Sequence, residues 1–262
     1  MKDDARPWHR RAMLAGGAMA VVAWVAGIPR LGSLWRSGLG FRDIPGLVPF
    51  RMLETTGSVS TASGLLTGLD DPKAADQQQE ALIADVRADP CQALFGPTPD
   101  PRLPVAFFSD FNCPNCRVLD AILIAYDANH PGTIRIVRHE LPLLGEASNI
   151  ASTAVLAAGL QGGYSVLQAR LMRARMLTDL NYVKSVAQSV GLDGSRLVAD
   201  MQSPQIALAL NRSRAIAKLF GFYGTPATVI GRSVFLGAIP AADVAQIIAA
   251  ELAAPERACR LG

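Results

Sequence analysis

The stretch FFSDFNCPNCRVLD, from Phe107 to Asp120, places two cysteines two residues apart, between an apolar run and a helical pattern. The preceding run, LPVAFFSDF, is short, apolar and bounded by proline, which predicts a buried strand. The following segment repeats apolar residues four apart and carries Pro114 early, which predicts a helix with proline in its first turn. GTIRIVRHEL then alternates and predicts a second strand. The cysteines therefore mark the strand–helix junction of a βαβ unit.

The rest of the chain supplies a second half of the same kind of fold. From Ser148, a candidate helix cap, to Gly221, a candidate C-cap, the sequence has helical patterns broken by turn residues. TPATVIGRSVFLG follows as two short β-runs around a glycine turn, and PAADVAQIIAAEL predicts a last helix. The order β, α, β, helical block, β, β, α predicts an α/β chain with the thioredoxin fold and an inserted helical domain.

Three regions follow from this pattern. We expect an N-terminal segment at 1–30, a linker and extension with one helix at 31–100, and the thioredoxin domain at 101–256, with the helical insertion at about 146–220. The first region has an uncharged stretch from Ala12 to Ile28 between charged flanks, which is short for a span of about 20 residues. It predicts an N-terminal membrane anchor, with a cleaved export signal as the alternative.

Composition excludes several classes of protein. Half of the 262 residues are apolar and 18% are charged, which is typical of a folded protein with a real core. The net charge is only +3 and the basic residues are scattered, so nothing favours nucleic-acid binding. The chain contains no phosphate-binding or dinucleotide-binding glycine motif, and no HExxH zinc motif.

Three uses other than redox chemistry are open to a Cys-x-x-Cys pair. A structural zinc site needs four ligands, and the other two cysteines and the three histidines show no ligand spacing. A copper-carrying site needs only two soft ligands and stays an alternative. A purely structural disulfide over so short a loop is geometrically tight.

A redox pair fits the position of the two cysteines best. Cys113 falls at a helix start, where unpaired N–H groups and the helix dipole favour a thiolate. We therefore expect Cys113 to be the nucleophile and Cys116, one turn further and shielded, to be the resolving thiol. Thr225 and Pro226 open a β-run, a position that favours a cis bond over a trans proline inside a sheet.

The chain resembles the DsbA-like family of exported bacterial thiol–disulfide oxidoreductases from about Val105 to Glu251. Four stretches carry the resemblance: FFSDFNCPNC, HELPLLGEASNIASTAVLAAGLQGGY, GLDGSRLVADM and GTPATVIG. The resemblance implies Cys113 and Cys116 as the redox pair and no cofactor beyond them. It implies client-protein thiols and disulfides as substrates, contacted by Pro114, Asn115, Thr225 and Pro226, with Thr225 and Pro226 binding the client backbone by strand addition.

The resemblance also implies a location and a partner. We expect the periplasmic side of the inner membrane, or the soluble periplasm if the N-terminal segment is cleaved, and a membrane redox partner that sets the direction of electron flow.

The sequence departs from the family pattern at three positions. Strong oxidants of the family have histidine where Asn115 stands, and a neutral amide predicts a less stabilised thiolate and a less oxidising pair. Ala106 replaces a buried acid found in many relatives, and Thr225 resembles the isomerases and reductases. The direction of electron flow therefore stays open.

The two remaining cysteines flank the predicted domain. Cys91 precedes its first strand and Cys259 follows its last helix. Since both ends of this fold can meet, we hypothesise a Cys91–Cys259 disulfide. Two unpaired thiols are the alternative, because sequence does not give the Cα separation.

Overall fold

The structure is a computed structural model that describes residues 38–61, 72–97, 100–174, 179–254 and 259. The predicted anchor at Ala12–Ile28 lies outside the described residues. No helix within the described ranges is long and apolar enough to cross a bilayer.

The β-strands form a six-stranded mixed sheet in the order β1-β2-β6-β5-β3-β4. Strand β3 is buried along its whole length and lies next to the edge strand β4, to which it is parallel; on its other side it is antiparallel to β5, and β5 pairs with β6 in turn. The strand bounds are β1 Phe41–Asp43, β2 Arg51–Leu53, β3 Leu103–Ser109, β4 Ile134–Glu140, β5 Ala227–Ile230 and β6 Ser233–Leu236. This is the thioredoxin-like α/β arrangement that the sequence predicts.

The helices fall into an N-terminal pair, a crossover helix, an inserted block and a C-terminal helix. In chain order they are α1 Pro72–Ala88, α2 Pro90–Phe95, α3 Pro114–Asn129, α4 Glu146–Gly159, α5 Tyr164–Met172, α6 Leu180–Ser189, α7 Gly194–Asp200, α8 Pro204–Phe220 and α9 Ala241–Ala253. Helix α3 connects β3 to β4, and α4 to α8 stand between β4 and β5. Gly221 ends α8 in the left-handed conformation, as expected of a C-cap glycine.

The predicted linker and extension at 31–100 contains more regular structure, where the structure describes it, than the one helix expected from sequence. β1 and β2 extend the sheet, since β2 pairs in parallel with β6, and α2 is a second helix after α1. Leu47, Phe50 and Phe95 are buried in the same core as β3 and α8. The described residues from Gly40 onward therefore form one compact unit.

A disulfide joins Cys91 in α2 to Cys259 after the last helix, with the two Cα atoms 5.4 Å apart. Both residues pack against the main hydrophobic cluster, which includes Leu94 and Phe95. The bond therefore ties the N-terminal extension to the C-terminal end of the fold.

Candidate active site

Cys113 lies between the end of strand β3 and the start of helix α3. It is the N-cap of α3, and its Sγ accepts a hydrogen bond from the backbone N–H of Cys116 at 3.0 Å. Its own N–H donates to the carbonyl oxygen of Asp110, which closes the turn after β3. Pro114 stands at the first helical position, where proline costs no hydrogen bond. The first turn of the helix thus directs the N–H of Cys116 at the sulfur.

The pKa of the Cys113 thiol falls to about 6. The hydrogen bond with the Cys116 side chain is the main cause, Ser60 and Thr225 add to it, and burial opposes it. The thiolate therefore predominates at neutral pH, and the thiolate is the nucleophile in disulfide exchange.

The neighbouring thiol behaves in the opposite way. Cys116 is fully buried, and desolvation raises its pKa well above the usual range, helped by its hydrogen bond with Cys113 and by the charge there. When Cys113 enters a mixed disulfide it loses that charge, which removes one of the causes that keep Cys116 protonated. Cys113 is suited to attack, and Cys116 to resolve.

The Thr225–Pro226 loop lies against this pair. Strand β5 begins at Ala227, opposite Phe108 on β3, so the residues before β5 meet the residues after β3. The Thr225–Pro226 peptide bond is cis, in agreement with the sequence prediction, and the Thr225 carbonyl oxygen lies 3.5 Å from Cys113 Sγ. Both residues of the loop are buried.

Asp110 is a site residue that the sequence analysis missed. Its buried carboxylate accepts hydrogen bonds from the N–H of Asn112 at 2.7 Å and from Leu143 and Leu144 at 2.7 and 2.9 Å. The hydroxyl of Ser148 donates to it at 2.7 Å. Contrary to the sequence prediction, Ser148 does not cap α4, because the helix already begins at Glu146. Asp110 therefore fixes the turn before the cysteines to the start of the inserted block.

Ser60 is the second residue missed, because it lies in the predicted linker. Its Oγ is 3.4 Å from Cys113 Sγ, and the side-chain amide of Asn115 donates to that Oγ at 3.2 Å. With the amide as donor, the serine hydroxyl hydrogen is free to point at the sulfur. Asn115 thus positions the hydroxyl of Ser60, which contacts Cys113. No local sequence pattern predicts this contact.

The structure therefore brings Cys113, Cys116, Asn115, Thr225 and Pro226 together, with Pro114 exposed at the rim of the site. Within the described ranges, no group of three or more His, Cys, Asp and Glu side chains is placed to hold a metal ion. The copper alternative gains no support from this geometry.

Comparison with solved structures finds relatives that match this chain over most of their own length. A thioredoxin-like oxidoreductase from Silicibacter pomeroyi DSS-3 is 31% identical with a TM-score of 0.57, over 62% of this chain and 98% of its own. A periplasmic thioredoxin-like protein from Salmonella enterica serovar Typhimurium is 25% identical with a TM-score of 0.54, over 62% and 95%. ScsC of Proteus mirabilis in a transitional conformation is 25% identical with a TM-score of 0.58, over 70% and 89%.

A comparison with curated proteins finds no match. The family profile of the DSBA-like thioredoxin domain, by contrast, matches residues 104–249, more than half of the chain. That range holds the cysteine pair, the inserted helices and the cis-proline loop. The chain therefore belongs to the DSBA-like thioredoxin-domain family and is a thiol–disulfide oxidoreductase.

Proposed function

We propose that the protein exchanges disulfides with client proteins through the Cys113–Cys116 pair. The opposite pKa shifts of the two thiols support this best, since one is held as thiolate and the other as thiol. The Cys113 thiolate attacks a client disulfide, one client sulfur bonds to Cys113, and the other leaves as thiolate. Cys116 then attacks Cys113 Sγ and releases the client. The reverse sequence oxidises a client dithiol.

The loop at Thr225 and Pro226 is the proposed binding place for the client backbone. The Thr225 carbonyl oxygen lies 3.5 Å from the nucleophilic sulfur. An extended peptide that pairs with Thr225 therefore carries its cysteine to Cys113, by the strand-addition mode of peptide recognition. Pro114 and Asn115 border the same place and contact the client.

The proposed place of action is the periplasm, by analogy with the periplasmic relative from Salmonella enterica. The N-terminal segment at 1–30 would hold the protein at the inner membrane, where a membrane redox partner sets the direction of electron flow. Cell fractionation of the full chain tests the location, and release into the soluble fraction would rule out the anchor.

A trapping experiment tests the exchange. In the Cys116→Ala variant the mixed disulfide has no resolving thiol, so scrambled lysozyme should accumulate as an adduct on Cys113, visible by non-reducing mass analysis. Cys113→Ala is the matched control and should form no adduct. Equal adducts on both variants, or none on either, would overturn the proposed exchange.

A further inference from the structure

Residues 57–61 run along the cis-proline loop as an added strand. The N–H of Ser60 donates to the Thr225 carbonyl at 2.7 Å, and the N–H of Thr225 donates to the Ser60 carbonyl at 2.9 Å. Ser58 and Ala238 exchange a second antiparallel pair of hydrogen bonds at 3.2 and 3.0 Å. The segment therefore satisfies both backbone groups of Thr225, which a client strand would need.

The fit of the segment is close. A Cβ added at Gly224 would lie 2.4 Å from Val59 Cγ1, and one added at Gly57 would lie 2.4 Å from the Ala238 carbonyl oxygen. Real Cβ atoms do not approach so near, so glycine at both positions allows the backbones to meet. The surface of the cis-proline loop that contacts residues 57–61 therefore fits an extended chain.

The side chain of Ser60, the fourth residue of the segment, lies beside the reactive sulfur. Serine differs from cysteine only in carrying oxygen in place of sulfur, and Ser60 Oγ lies 3.4 Å from Cys113 Sγ. Cys113 has no exposed surface although it is the nucleophile. Ser58 is exposed and Ser60 is half-buried, so the segment that covers the sulfur lies at the protein surface.

We propose that residues 57–61 are an internal mimic of the client peptide, with Ser60 at the place of the client cysteine, and that clients must displace them to reach Cys113. This inference rests on the proposed function, since it takes Thr225 as the client's pairing residue. Because an oxygen there forms no disulfide, the occupant blocks the site without reacting. It also defines the client: an extended segment that resembles residues 57–59 before its cysteine, with glycine where Gly57 meets the Ala238 carbonyl.

Disulfide trapping tests the position of the segment. In a Ser60→Cys, Cys116→Ala variant treated with oxidised glutathione, the introduced thiol and Cys113 should bond to each other, with two electrons passing to glutathione. Ser58→Cys in the same background is the matched control and should yield glutathione adducts instead. Glutathione adducts in both variants would overturn the proposal.

Displacement is tested by a pair of variants at one position. Ser60→Pro removes the N–H that pairs with Thr225, whereas Ser60→Ala keeps that pairing and loses only the hydroxyl. The readouts are the iodoacetamide rate at Cys113, corrected for thiolate fraction, and reduction of the Cys113–Cys116 disulfide by the peptide GSVCT. Two peptide thiols reduce the pair and become a peptide disulfide.

Relative to Ser60→Ala, Ser60→Pro should alkylate about fivefold faster or more, and its half-saturating peptide concentration should fall by a similar factor. Equal values for the two variants would overturn the mimic. The alkylation and trapping readouts do not need redox cycling, so failure of the proposed function is recognised separately, by a wild-type pair that does not cycle.

Discussion

The two thiols of the pair differ in what surrounds them. Cys113 caps a helix and accepts a hydrogen bond from the N–H of Cys116, whereas Cys116 lies one turn inside the helix, where desolvation raises its pKa. The same residue type therefore gives a thiolate at one position and a thiol at the other. Sequence position alone predicts this division, because helix capping is a local property.

One variant isolates the main cause of the Cys113 shift. Cys116→Ala removes the side-chain hydrogen bond that lowers the pKa of Cys113 most, so this pKa should rise from about 6 towards 9. Thiolate ultraviolet absorbance against pH measures it directly. Ser60→Ala serves as a control with a smaller rise, because Ser60 contributes less to the shift. An unchanged midpoint in Cys116→Ala would contradict this assignment.

At the scale of elements, the site depends on how the turn after β3 is tied to the inserted helices. Asp110 holds this junction with its four hydrogen bonds to the turn, the following loop and Ser148. Glu140, at the end of β4, is joined to the same block by the hydroxyl of Tyr164 at 2.5 Å. Both acids are buried.

Removing the Asp110 carboxylate should destabilise the protein strongly. Asp110→Ala leaves buried or half-buried N–H groups without an acceptor, which predicts a loss of about 3 kcal/mol in the free energy of unfolding. Urea denaturation measures it, with Ser148→Ala as a control that removes a single donor and costs about 1 kcal/mol. A loss under about 0.5 kcal/mol for Asp110→Ala would show that the turn holds without it.

Glu140 predicts a pH dependence. Burial raises its pKa to about 7 from an ordinary value of 4.5, so between these values the folded state binds more protons than the unfolded state. The contribution of Glu140 to stability is therefore lost as pH rises from about 4.5 to about 7, by about 3 kcal/mol.

Glu140→Gln removes this titration. The stability of the variant relative to wild type should increase by about that amount between pH 4.5 and 7, in urea melts across the range. If the difference in free energy of unfolding between the two proteins stays constant with pH, Glu140 has the same pKa in the folded and unfolded states.

At the scale of the whole molecule, the elements that can be predicted from sequence are the long ones. The strand–helix–strand unit around Cys113 and the helical block are long enough to show the spacing of apolar residues that is typical of a strand or a helix. Strands β1 and β2 are three residues each, too short to show a period, and they lie in a segment rich in glycine and turn residues. Ser60 pairs with Thr225, which is so far away in sequence that local patterns do not predict the contact.

The Cys91–Cys259 disulfide acts at this scale, since it links residues 168 apart in sequence. Closing so long a loop in the unfolded chain predicts about 5 kcal/mol of stabilisation. The double variant Cys91→Ala, Cys259→Ala should lose this amount in urea unfolding, while the Cys113–Cys116 pair still cycles. Alkylation of both Cys91 and Cys259 in the native oxidised protein would contradict the bond.

Equilibration in glutathione buffers, with alkylation and mass readout, tests whether Cys113 and Cys116 form one redox couple as we propose. We expect a two-electron transition, abolished in Cys113→Ala. Because the pKa of Cys113 is about 6, the potential should lie between about −120 mV, the value of the strongest oxidants, and about −270 mV, that of thioredoxin. A pair that stays reduced across all buffers, or glutathione bound first at Cys116, would contradict it.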